Sequence, residues 1–383
     1  RKSASTLRVM ALDYLEAQLV SFPEMGEFFN DFKLLYQQKL YHQLSVKLQE
    51  CLKVPFFQAN DTLLRLYNNF VKTIQTNIDP VELSIFAVHA SKQCSDVDTS
   101  MKFLESIEEV VTEKNKEAWL ILHLERGQYE LELKPPKLES AKEMIEKAKS
   151  LMGEFEGMRD IVHSAFYRVC LQYHKETGTP SEYFQNAMMF LSYTDIADIP
   201  KPDTITLSTD ISVAAVVGEV FSFGELLQHP ILKNLEGTPN EWLIRLLHAF
   251  NDGNIQSFES IVADNPDKEM LSIHRKSLDR KIRYMKLMDM IFHRPTHDRN
   301  LTFDEIRTEC VLVDNGAVEY LLMEAMCRNL IKGTIDQVSG FVQISWVQPR
   351  VLNEKQLNGL RERLKLWSAE LVDVVKFLEI PRS

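Results

Sequence analysis

Glycine and proline are scarce in this chain, 13 and 14 of 383 residues, which excludes collagen-like and low-complexity architectures and favours helix. No apolar run approaches the ~20 residues that a bilayer-spanning helix needs; even the cluster from Ile211 to Val217 is short. The five cysteines, at 51, 94, 170, 310 and 327, form no C-x-x-C pair, against both a disulfide framework and a zinc site. Reduced cysteines are expected of a cytoplasmic or nuclear protein. Positive charge is in deficit, 44 Lys+Arg against 55 Asp+Glu for a net −11, so general attraction to nucleic-acid phosphates is disfavoured. Glycine-rich phosphate loops, the G-x-S-x-G elbow and the H-E-x-x-H helix are all missing. His293 and His297 are four apart, but Pro295 between them removes the helical geometry that would aim both rings at one metal. The expectation is a chain with no catalytic residue, no metal, no cofactor and no membrane span.

What remains is helix-forming sequence, with about two domains' worth of chain and 45% hydrophobic residues. The first ten residues are basic and acid-free, and 1–27 is expected to be a tail or poorly defined. Because the chain opens on Arg1, a fragment or tag is expected there, with Met10 a native start. From about Phe28 the apolar residues recur at three and four, as in Phe32, Leu35, Tyr36, Leu40, Leu44 and again in Leu63, Leu66, Tyr67, Phe70, Ile74. Asp79-Pro80, Asp98, Pro135-Pro136 and Thr179-Pro180 punctuate these helices. Repeated helix pairs over 28–200 predict an α-solenoid with tetratricopeptide-like pairs. A second helical subdomain follows over 201–297, ending in a long helix from about Asp267 to Phe292.

The segment 298–350 carries a sharper pattern. Thr302 and Glu305 form a capping box opening a short helix, and Asp314 or Asn315 caps a second helix whose apolar face is Val318, Leu321, Leu322, Ala325, Met326 and Leu330. Two alternating runs, Thr334 to Val338 and Phe341 to Val347, flank Ser339-Gly340. A two-residue turn there sets Val338 opposite Phe341 and Ile335 opposite Ile344, with Ile335, Val342, Ile344 and Trp346 on one face. Helix, turn, helix and hairpin make a winged helix. A DNA reader needs basic or amide side chains on the second helix; this one offers Asp314, Glu319 and Glu324 against Arg328. A protein-interaction role is expected instead. The remaining basic candidate is Arg275, Lys276, Arg280, Lys281, Arg283 and Lys286 on the long helix, where Lys276, Arg280 and Arg283 form a stripe.

The last segment, 351–383, predicts a helix in which Leu357, Leu360, Leu364, Trp367, Leu371, Val374 and Leu378 are spaced 3, 4, 3, 4, 3, 4. Such a narrow seam after Pro349 favours a helix that joins a bundle with other subunits.

Solenoid helices, then LLHAFNDGNIQSF (Leu246 to Phe258), then a winged helix with an acidic second helix, resemble the PCI domain, shared by the proteasome lid, the signalosome and a translation initiation factor. FSFGELLQHPIL (Phe221 to Leu232), LTFDEI (Leu301 to Ile306), KGTID (Lys332 to Asp336) and ISWVQPRVL (Ile344 to Leu352) are similar to a non-ATPase regulatory subunit family of the 26S proteasome. The resemblance implies a non-catalytic scaffold subunit of the regulatory particle's lid, in which winged helices of several PCI subunits associate side by side and terminal helices gather in one bundle. It implies as interface residues Ile335, Ile344 and Trp346 for the winged helix, and the Leu357 to Leu378 stripe for the bundle. Implied partners are the other lid PCI subunits, the lid deubiquitinase subunits through the bundle, and the ubiquitin receptor subunit near the solenoid, with no nucleic acid and no membrane. The alternative is a PCI protein of the signalosome or of an RNA-associated complex, with Lys276, Arg280 and Arg283 on phosphates.

Overall fold

The computed structural model describes residues 2–59, 61–111, 115–155, 157–294, 299–351 and 354–379. Within those spans the side chains of 2–9, 198, 354–356, 373 and 376–379 lie outside the description, Leu378 among them. The chain divides into two units, Arg1–Asp195 and Ile196–Ser383.

The first unit is helical among its described residues. Asp79 caps the helix Pro80–Ser91 through its carboxylate, and Pro80 fills the first position, where no amide donor is needed. Pro135-Pro136 separates Lys116–Glu132 from Leu138–Glu154, and Gly178, at φ 69°, ends Asp160–Thr177 before Pro180 opens the next helix. Asp98 lies in the first turn of Val97–Glu108 rather than capping it. Helices Pro80–Ser91, Lys116–Glu132 and Asp160–Thr177 stack side by side in one row, each backed by the next helix in the chain, as solenoid pairing requires. Their facing stripes bury Phe86, Leu104, Leu120, Leu122 and Val162, and the row continues into Phe29, Phe32, Leu44, Phe57 and Phe70.

The described residues of the opening segment, 1–27, are ordered structure and not a tail. Lys2–Ser21 is a helix, with Ala11 and Leu15 fully buried in the same core and Glu16 paired with Lys33 at 2.8 Å. An acid-free opening concealed an apolar spacing of four.

The second unit packs Lys201–Val217, Trp242–Asn251 and Ile255–Asp264 around Arg275–His293. The expected single helix from Asp267 is two, Glu269–Ile273 and Arg275–His293, interrupted at His274. Two glycines of this unit permit close contact. A Cβ on Gly224 would stand 2.5 Å from Val351 Cβ, and one on Gly253, at φ +61°, would stand 2.6 Å from the Lys286 Cα.

The winged helix follows. The capping box of Thr302 and Glu305 opens Phe303–Glu309, and Asp314 caps Asn315–Cys327 through Ala317 N at 2.7 Å. Strands β1 (Asn300–Thr302), β2 (Ile331–Asp336) and β3 (Phe341–Val347) form an antiparallel sheet in the order β1-β3-β2. Sequence reading missed β1, a strand only three residues long.

The hairpin register also differs from expectation. Asp336 opposes Phe341, Ile335 opposes Val342 and Gly333 opposes Ile344. Asp336 Oδ1 accepts from Ser339 N at 3.0 Å, which closes a longer loop over residues 337–340, with Gly340 at φ 67°. A bulge then places both Ser345 and Trp346 against Lys332, and Ser345 Oγ donates to Lys332 O at 3.1 Å. The last helix, Glu354–Glu379, closes the chain.

Candidate interaction surfaces

The terminal helix grows from an anchored stem. Arg350 is half-buried and donates to Asn251 O and Met285 O, both at 3.1 Å, with Asp289 at 3.9 Å. Val351 lies in the space left by Gly224. Burial pushes the Arg350 guanidinium below its usual range, opposed by Asp289 and Asp252.

Beyond that stem the apolar stripe is bare. Exposure along Leu357, Leu360, Leu364, Trp367, Leu371 and Val374 runs from 44% at Leu360 to 60% at Trp367. Leu378 carries the same register but its side chain lies outside the described residues. Charges line the helix: Lys365 pairs with Glu362 at 3.0 Å, and Arg361 reaches the same carboxylate at 3.5 Å. Arg363 and Glu370 are exposed and form no ion pair among the described residues.

Of the three winged-helix residues expected at an interface, Ile344 is buried in the module's own core with Val342, Leu301 and Ile331. Ile335 is half-buried beside Val342. Trp346, turned out by the bulge, keeps 37% of its surface exposed under the Lys332 ammonium, 5.1 Å from the ring centroid. One shared face is therefore replaced by a buried Val342 and Ile344, a half-buried Ile335 and an outward tryptophan.

Sequence reading also missed an outward apolar set on this module. Tyr320 and Met323 sit one turn apart on the outer face of Asn315–Cys327, while Val313 in the turn and Val338 in the hairpin loop are 94% and 99% exposed. Their signal was present as apolar residues off the helix's core face, but nothing in the spacing marked it.

The basic run on Arg275–His293 is mostly engaged by its own chain. Arg275 pairs with Asp279 at 3.2 Å, Arg280 with Glu324 at 3.4 Å and Lys286 with Glu309 at 2.8 Å. Lys281 is buried. Its ammonium donates to Ala215 O at 2.6 Å, Val216 O at 2.9 Å and Gly218 O at 2.7 Å, the orphan carbonyls at the end of Lys201–Val217. Phe223, Phe221 and Phe250 surround it at 5.0, 5.6 and 5.9 Å from their centroids. Burial pushes its pKa down to about 7, yet the three carbonyls favour the ammonium, the form with a donor for each. Tyr284 hydrogen-bonds Glu324, and Arg328 pairs with Glu219, tying the second helix of the winged module to the helical subdomain.

Among the described residues no group of His, Cys, Asp and Glu could hold a metal, and no helix is long and apolar enough to cross a membrane. His293 accepts or donates at Asp289, and His297 lies outside the described residues.

Comparison with known proteins covers both units. A family model described as PSD13 N-terminal repeats matches residues 28–247, and the PCI domain model matches residues 251–346. The chain is 36% identical to the 26S proteasome non-ATPase regulatory subunit 13 homolog B of Arabidopsis thaliana, over 93% of this chain and 94% of the relative. It is 32% identical to the 26S proteasome non-ATPase regulatory subunit 13 of Dictyostelium discoideum, over 96% of each. A probable 26S proteasome regulatory subunit rpn9 of Schizosaccharomyces pombe is 31% identical, again over 96% of each.

Proposed function

The chain belongs to the 26S proteasome non-ATPase regulatory subunit 13 family, and from that premise we propose that it is a non-catalytic scaffold subunit of the regulatory particle's lid, supporting ubiquitin-dependent protein degradation. Its winged helix meets other PCI subunits, with Trp346 at the contact and Ile335 and Ile344 shaping the sheet behind it. Its terminal helix enters a helical bundle shared with the lid's deubiquitinase subunits, and its solenoid lies near the ubiquitin receptor subunit. Cytoplasm and nucleus are its places of work.

The observation that carries this reading is the bare stripe on Glu354–Glu379. Burying a leucine is worth ~1.5 to 3 kcal/mol, so a helix exposing Leu357, Leu360, Leu364 and Leu371 gains most from a partner. Replacing Leu364 and Leu371 by Asp is expected to abolish co-purification with the regulatory particle while circular dichroism of the free chain stays unchanged. Normal incorporation of that variant would refute the bundle role.

A further inference from the structure

We propose that the free chain pairs with a second copy of itself through an antiparallel coil of its terminal helices, sealed by reciprocal Arg363–Glu370 ion pairs. The seam places Leu357, Leu364 and Leu371 at one heptad core position and Leu360, Trp367 and Val374 at the other. In an antiparallel pair, opposite core positions face each other. Leu364 then meets Trp367 of the second copy, Leu360 meets Leu371, and Leu357 meets Val374. The two-fold axis repeats each layer, so all six exposed seam residues are covered without a gap.

The same register decides the flanks. Of the residues bordering the seam, Arg363 falls opposite Glu370 of the second copy, twice by symmetry, and Arg361 falls opposite Ser368. No like charges meet. A parallel pair sets Arg363 against Ser368 and Arg361 against Gln356, so neither arginine gains a carboxylate. The described structure leaves Arg363 and Glu370 exposed and without an ion pair, available to each other across such an axis. Because the pairing centre lies about eleven to twelve residues beyond Glu354, at 1.5 Å per residue, the first turns of the two helices stand roughly 35 Å apart. The seam is the one assigned above to the bundle, so self-pairing and assembly exclude each other, and a free subunit shelters its stripe until partners displace the second copy.

Sedimentation equilibrium of the full-length chain at tens of micromolar is expected to show reversible doubling of mass. Arg363→Glu alone, or Glu370→Arg alone, should weaken the dimer roughly tenfold by setting like charges together, and the double exchange should restore it. Leu364→Asp should leave a monomer. A chain that is monomeric throughout, or whose dimer ignores the single exchanges, would overturn the proposal. So would a double exchange no better than either single one. None of these results bears on co-purification with the regulatory particle, which tests the bundle role separately.

Discussion

Two helices of the second unit, Arg275–His293 and Glu354–Glu379, both carry apolar residues at three and four with basic residues between them, and they meet opposite fates. The first is enclosed: Leu278, Ile282, Met285, Leu287, Met288 and Ile291 are buried, and Lys281 is drawn inside with them. The second exposes every described seam residue. Periodicity is the same signal in both. The difference lies in the neighbours: Lys201–Val217, Trp242–Asn251 and Ile255–Asp264 pack on the enclosed helix, whereas the terminal helix leaves Leu366, Val372 and Val375 exposed beside its seam as well. The seam asks for a facing helix, and the chain supplies none among its described residues.

Breaking the enclosed helix should therefore be costly. Lys281→Ala strips three carbonyls of their donor and is expected to destabilise the second unit by about 3 to 5 kcal/mol, read from urea midpoints. Ile282→Ala should cost about 2 to 4 kcal/mol, whereas Leu364→Ala in the free, dilute chain should stay within about 0.5 kcal/mol. Equal losses at Ile282 and Leu364 would erase the contrast. Arg350→Ala removes two hydrogen bonds from a half-buried guanidinium and should cost about 1 to 3 kcal/mol, with faster amide exchange in the first turn of the terminal helix.

The smallest effect concerns pH. The Thr302 amide, with Arg294 beside it, holds the Glu305 carboxyl below its usual value of 4.5. A depressed folded-state pKa means that the capping box contributes fully above that value and is lost as pH falls through the lower one. The Thr302 amide resonance should titrate with a midpoint below 4.5, and Glu305→Gln should abolish that titration.

Much of the architecture was legible in the sequence, because amphipathic spacing, proline breaks and caps at Asp79, Thr302 and Asp314 act locally. The hairpin register was not. It turns on a side-chain bond from Asp336 and on one extra residue, Ser345, neither of which alters the alternation of apolar letters. That slip also misplaced Trp346. Lys281 was misread for a related reason: a lysine within a basic run looks solvated until the carbonyl ends of another helix are known to face it. The helix Lys2–Ser21 was missed because composition stood in for spacing. The terminal stripe, by contrast, was visible residue by residue, since a heptad needs no partner to be recognised.

The Arg350 guanidinium grips carbonyls from two separate helices, at Asn251 and Met285. Those two oxygens come into reach of one side chain only after Trp242–Asn251 and Arg275–His293 have docked. The stem thus records a tertiary event in a single side chain: Arg350 finds both of its acceptors only where those two helices already lie against each other.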